Sequence, residues 1–176
     1  LHHAAAQHKS RVERCVFSQS NAGAIVVDGS NNLDIKGNVF HRTYRSAVWV
    51  NSNCASQAIS LVGNLALETL RHPLESAMIR PFAAYMLEVP LARMAGNVAA
   101  GSADFGFVFV PDVWDCSLGP SAAGTPWEHP IDLADQNEAV GCVIGFMMKN
   151  PCQSHRCGRR RCARLRGALA WKNSQI

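Results

Sequence analysis

The sequence predicts an all-β chain wound as a right-handed, single-stranded parallel β-helix of about five turns, with loop excursions and a basic C-terminal tail. Three observations lead there. The tripeptide Gly-Asn-aliphatic ends three short strand-like runs, "LDIKGNVF" at 33–40, "ISLVGNLA" at 59–66 and "ARMAGNVA" at 92–99. Its glycines, Gly37, Gly63 and Gly96, recur at a period in the range of stacked units, and a degenerate copy, "RVERCVF" at 11–17, lies ahead of the first. Second, the slide that carries Ile25 onto Val48 also puts Val26 on Trp49, Val27 on Val50 and Asp28 on Asn51, so like falls on like along a strand. Third, the residues ahead of each Gly-Asn alternate, which is the period of a strand with one face on a core.

The first strand signal covers 11–17, and nine residues on from Cys15 comes Ala24, which opens "AIVVD". The same step of nine leads from Asn38 to Ala47 and "AVWVN", and from Asn97 to Gly106 and "GFVFV". Each unit therefore holds at least two strands and a corner. Leu33 and Ile35 alternate with Asp34 and Lys36, and Ile59 and Leu61 flank Ser60. With no helical crossover pattern between copies, each strand pairs with its equivalent one turn later, at about 4.8 Å. The expected interior comprises Ile25, Val27, Leu33, Ile35, Val48, Val50, Ile59, Leu61 and Met94. Over 24–28 the alternation leaves both inward registers open.

The corners carry asparagine. Asn side chains bond nearby backbone groups and tolerate left-handed backbone, and stacked Asn residues form hydrogen-bonded ladders. Asn38, Asn64 and Asn97 are expected to form such a structural ladder. Between the repeats, residues 67–90 are expected to leave the coil, with a short helical turn over 74–79. Residues 111–130 hold Pro111, Pro120, Pro126 and Pro130 with Gly119 and Gly124, a long loop. Trp114 and Trp127 in that loop are candidates for stacking on a sugar or a partner, or for pinning the loop to the body.

The succession "SRVERCVFSQS", "GNVFHRT", "GNLALETL", "RPFAAYMLEVPLARMAGNVAAGSADFGF" and "NEAVGCVIGF" resembles the parallel β-helix region of fibrocystin and fibrocystin-L, related to the cell-surface hyaluronidases, over roughly residues 8–148. "GNVAAGSADFGF" at 96–107 is its most specific part. The resemblance implies an extracellular module of a large cell-surface protein whose targeting and anchoring segments lie outside this piece, with an extracellular protein or glycan as partner. It also implies a departure. The hyaluronidase-like relatives carry histidines and acidic residues where this chain has Val27, Asp28, Arg45, Ser46, Asn51 and Asn53. Polysaccharide cleavage needs two positioned carboxyl groups, or a metal with its ligands, and Asp28, Asp34 and Asp104 are scattered along the chain. The expected function is thus a non-catalytic spacer and interaction surface, with a glycan-processing enzyme as the alternative. Asp28, Asn51, Asp104, Trp114 and Trp127 are the candidate ligand-binding residues; no catalytic residue, metal or cofactor is expected.

Composition fits that reading. At 48% hydrophobic and 17% charged residues, the 176-residue chain can fill one domain's interior. The apolar run "AVGCVIGFMM" at 139–148 is far shorter than the ~20 residues of a membrane-spanning helix. Charge divides the chain into a β-helix domain over 1–148, with nine Lys or Arg against thirteen Asp or Glu, and a Cys- and Arg-rich tail over 149–176, with eight Lys or Arg and no acid. The tail leaves the repeat and lacks the aromatic interleaving of a single-strand binder, so no nucleic-acid partner is expected. Its Cys152, Cys157 and Cys162 surround His155, but the second ligand pair of a zinc site is missing. The remaining cysteines, Cys15, Cys54, Cys116 and Cys142, are expected as buried hydrophobes or disulfide partners.

Overall fold

The structure, a computed structural model, describes residues 9–51, 57–72, 82–88, 91–109 and 136–148. Among the described residues the protein is all-β, with fourteen strands and no helix, and none of its segments is a helix long and apolar enough to cross a membrane. The strands are β1 (Ser10–Glu13), β2 (Val16–Ser18), β3 (Ile25–Val27), β4 (Asn31–Lys36), β5 (Val39–Tyr44), β6 (Val48–Val50), β7 (Gln57–Val62), β8 (Leu65–Leu70), β9 (Ala83–Leu87), β10 (Arg93–Ala95), β11 (Val98–Ala100), β12 (Phe105–Phe109), β13 (Glu138–Val140) and β14 (Ile144–Met148). They are dealt in rotation into three sheets, ordered β1-β4-β7-β10, β13-β11-β8-β5-β2 and β14-β12-β9-β6-β3. Every pairing is parallel. Each repeat thus contributes three strands, one more than the two evident in the sequence.

The pairing follows the repeat. Ile25, Val26 and Val27 lie beside Val48, Trp49 and Val50, and Leu33 and Ile35 beside Ile59 and Leu61. All nine residues expected inside are buried. The register of 24–28 left open above is resolved: Ile25 and Val27 point inward and Val26 outward. The stretch 67–90 corrects its expectation, because β8 runs to Leu70 and β9 occupies Ala83–Leu87. β9 is buried at all five positions, so it lacks the alternation that betrays a half-buried strand. The helical turn expected over 74–79 and the loop over 111–130 fall outside the described residues.

The interior is filled by exchange of bulk between sheets. Phe17 stacks on Phe40 at 5.1 Å in one sheet, where their register mates in later turns are Ala66, Ala99 and Ala139. Across the core the bulk is reversed: Ile25 and Val48 give way to Tyr85, Phe107 and Phe146, whose rings stack at 4.8 and 4.7 Å. At these paired positions each layer accordingly sets one aromatic ring against a small or aliphatic side chain, which keeps the packing dense without overfilling.

Asparagines line one corner. Asn38, Asn64 and Asn97 are buried, and each amide nitrogen Nδ2 donates to a backbone carbonyl of the preceding turn, those of Val12, Ile35 and Leu61, at 2.8–2.9 Å. The side chains also link to one another along the column. Asn38 donates through both N and Nδ2 to Asn64 Oδ1, and Asn64 does the same to Asn97 Oδ1, at 2.9–3.1 Å. Asn97 donates likewise to a fourth member, Asn137. The left-handed residue is not the Asn but the one before it: Gly37, Gly63 and Gly96, with φ of 61–62°, and Gln136 ahead of Asn137.

Candidate functional site

Three polar residues follow the strands of the β14-β12-β9-β6-β3 sheet at one corner. Asp28 succeeds Val27, Asn51 succeeds Val50 and Glu88 succeeds Leu87, and these valines and the leucine are register neighbours. Backbone bonds tie the column together, Asn51 N donating to the Val27 carbonyl and Glu88 N to that of Val50, each at 2.9 Å. At about 4.8 Å per strand, the Asp28 and Glu88 backbones are roughly 10 Å apart with Asn51 between them. Asp28 and Asn51 are half-buried, whereas Glu88 is only 7% exposed.

Trp49 completes the corner. It lies on the outer side of the sheet, packed against the buried cluster Ala83, Met86 and Val108, and its indole Nε1 donates to Glu88 Oε1 at 3.1 Å. The arrangement offers an aromatic surface beside a fixed carboxylate, with an amide and a second carboxylate along the same edge. Such a set of acceptors next to an apolar face suits a hydroxyl-rich ligand.

Of the candidate residues, the fold brings Asp28 and Asn51 together and places Asp104 elsewhere. Asp104 precedes β12, at the opposite end of the sheet's strands, and is 9% exposed. The Arg71 guanidinium grips its carboxylate through Nε, 3.0 Å from both oxygens, and through Nη2. That hydrogen bond and the attraction of the carboxylate raise the Arg71 pKa further. Asp104 thus fastens the end of β8 to the start of β12. Trp114 and Trp127 lie outside the described residues, as do Cys54, Cys116 and the whole cluster of Cys152, His155, Cys157 and Cys162. Sequence reasoning missed Trp49 and Glu88, although "IVVD", "AVWVN" and "AYMLE" share an apolar run closed by a polar residue.

Other polar groups assemble less. On the outer face of β2, β5 and β8, Ser18 Oγ lies 3.5 Å from His41 Nδ1, and His41 Nε2 lies 4.0 Å from Glu68 Oε2, which Arg42 Nε approaches at 3.1 Å. These contacts are mostly long and their charged side chains well exposed, so water screens them. Cys15 is neither buried nor bridged, against expectation: its thiol is free and exposed, and burial pushes the free thiol of half-buried Cys142 up. Among the described residues no three His, Cys, Asp or Glu side chains converge as metal ligands. No protein family, characterised protein or solved structure matches the chain.

Proposed function

We propose that the chain is a non-catalytic extracellular module of a fibrocystin-like cell-surface protein, a rigid spacer that presents a glycan- or protein-binding corner. The observation that carries the reading is the column of Asp28, Asn51 and Glu88 beside Trp49, held on consecutive parallel strands. The rotation of strands through three sheets supports a right-handed β-helix of about five turns over 1–148, since parallel crossovers within a sheet are right-handed in nearly all cases. The tail over 149–176 lies outside the described residues. An ordered, cross-braced stack separates what lies at its two ends by a fixed distance and keeps surface side chains in register, as spacing and recognition both require.

The alternative is a glycan-processing enzyme. It is favoured by Asp28 and Glu88, two acidic residues that close strands of one sheet at the same end, the residue types that glycosidases use in pairs. Against it, the Glu88 carboxylate is engaged by the Trp49 indole. A glycan array probed with the full chain, with Trp49→Ala and Asn51→Ala in parallel, separates the readings when run beside a hyaluronan depolymerisation assay. The binding module retains a glycan that both variants lose, and leaves hyaluronan intact. Depolymerisation abolished by Asp28→Asn or Glu88→Gln transfers the assignment to the enzyme.

A further inference from the structure

The corner of Asp28, Asn51 and Trp49 is open over two turns of the stack and covered at the third. The outward register row of the β14-β12-β9-β6-β3 sheet runs Val26, Trp49, Met86, Val108 and Met147. Exposure falls along it: Val26 is 43% exposed and Trp49 half-buried, whereas Met86 and Val108 are 5% and 0% exposed. The polar column beside it takes the same step, from half-buried Asp28 and Asn51 to Glu88 at 7%. An outward side chain is buried only beneath other atoms, and Trp49, Phe105 and Met147 pack on the cluster of Ala83, Met86 and Val108. The surface therefore rises at the third turn.

The open part is small in both directions. β3 and β6 have three residues each and turn one side chain outward, Val26 or Trp49, and Ser46 and Ala47 just ahead of β6 are buried. Two strands at about 4.8 Å make a platform roughly 10 Å across, the reach of one or two sugar rings. Its charge is of one sign. None of the five strands of this sheet carries Lys or Arg, while the acidic residues Asp28 and Glu88 close two of them. A carboxylate has room for several donors, so it accepts from sugar hydroxyls, but it repels the carboxylate or sulfate of an acidic sugar. Building on the glycan-binding reading proposed above, we infer that this corner takes the terminal one or two rings of a neutral glycan. The rings lie against Val26 and Trp49, bond to Asp28 and Asn51, and abut the covered third turn. Further rings of a longer chain leave for solvent and add nothing, and a ring inside a chain cannot seat without driving its neighbour into the covered turn.

Saturation-transfer NMR of the full chain tests it with neutral glucose, mannose, galactose and N-acetylglucosamine series, each from monosaccharide to hexasaccharide, beside hyaluronan fragments of matching length. At least one neutral series is expected to bind, its affinity rising from mono- to disaccharide and then level within about twofold. Saturation falls on terminal rings alone, and hyaluronan fragments bind at least about tenfold more weakly. Val26→Arg, at a position open to solvent, weakens the neutral ligand several-fold and narrows its margin over hyaluronan. Asn51→Ala also weakens it several-fold; if that variant loses its β circular dichroism, Val26→Arg decides alone. Affinity that climbs ring by ring to the hexasaccharide, saturation of interior rings, or hyaluronan bound as tightly as any neutral series overturns the inference and leaves glycan recognition standing. No saccharide bound at millimolar concentration, or binding indifferent to both substitutions, removes glycan recognition from this corner and the inference with it.

Discussion

At the scale of single residues, the stack depends on side chains that replace backbone hydrogen-bonding partners at a corner. Asn64 is the central case, because its amide donates to the Ile35 carbonyl and to Asn97 Oδ1, while its own Oδ1 accepts two bonds from Asn38. Asn64→Leu removes all of them in a buried site and leaves the Asn38 backbone N–H and side chain without that acceptor. The expected loss is ~1–3 kcal/mol for each buried group left unsatisfied, read from chemical denaturation. A variant as stable as the parent would show that the ladder contributes nothing. The ladder was legible because three of its asparagines follow a glycine, which adopts left-handed backbone at little cost. Asn137 was not, since Gln136 takes that conformation in place of glycine, with φ 61°, and erases the tripeptide. Glycine is demanded for another reason at Gly106: an added Cβ would stand 2.7 Å from the Gly145 carbonyl oxygen and 3.0 Å from Ala139 Cβ.

At the scale of the strands, the core is a set of complementary layers rather than a uniform apolar column. The layer containing Ala66 and Tyr85 puts its ring on the opposite sheet from the layer of Phe40 and Val48. Ala66→Phe therefore overfills its layer and costs ~1–3 kcal/mol or more, and Tyr85→Val empties it at ~3 kcal/mol or more. The double variant reproduces the Phe40–Val48 combination, so its loss should fall short of the sum by ~1 kcal/mol or more. Strict additivity in denaturant unfolding would refute the layer-by-layer account. Alternation made β4 and β7 legible, and the slide of Ile25 onto Val48 did the same for β3 and β6. That slide does not carry on to β9, because the chain from Asn51 to Glu88 is longer than the chain from Asp28 to Asn51. Glu88 was hidden for that reason: Asp28 and Asn51 align with their strands, while their third neighbour needs the register of a fully buried strand.

At the scale of the whole molecule, one buried group links the core to pH. Tyr85 lies deep in the interior, and its hydroxyl donates toward the Asn64 and Val98 carbonyls at 3.0 and 3.2 Å. Burial raises its pKa well above the ordinary phenol value, because a phenolate there would lose its hydration and face carbonyl oxygens. The folded state consequently keeps the proton after the unfolded chain has released it. Stability is complete below the unfolded pKa of about 10 and declines as pH rises beyond it, at up to ~1.4 kcal/mol per pH unit for this one group. Tyr85→Phe has no proton to lose. Its stability at neutral pH should be lower by ~1 kcal/mol for the missing hydrogen bonding, and its alkaline decline should be shallower by about that same ~1.4 kcal/mol per unit. Urea unfolding between about pH 9 and about pH 11.5 measures both slopes. Parallel slopes for parent and variant would mean that the phenol ionises in the folded stack and that the centre of the core admits water.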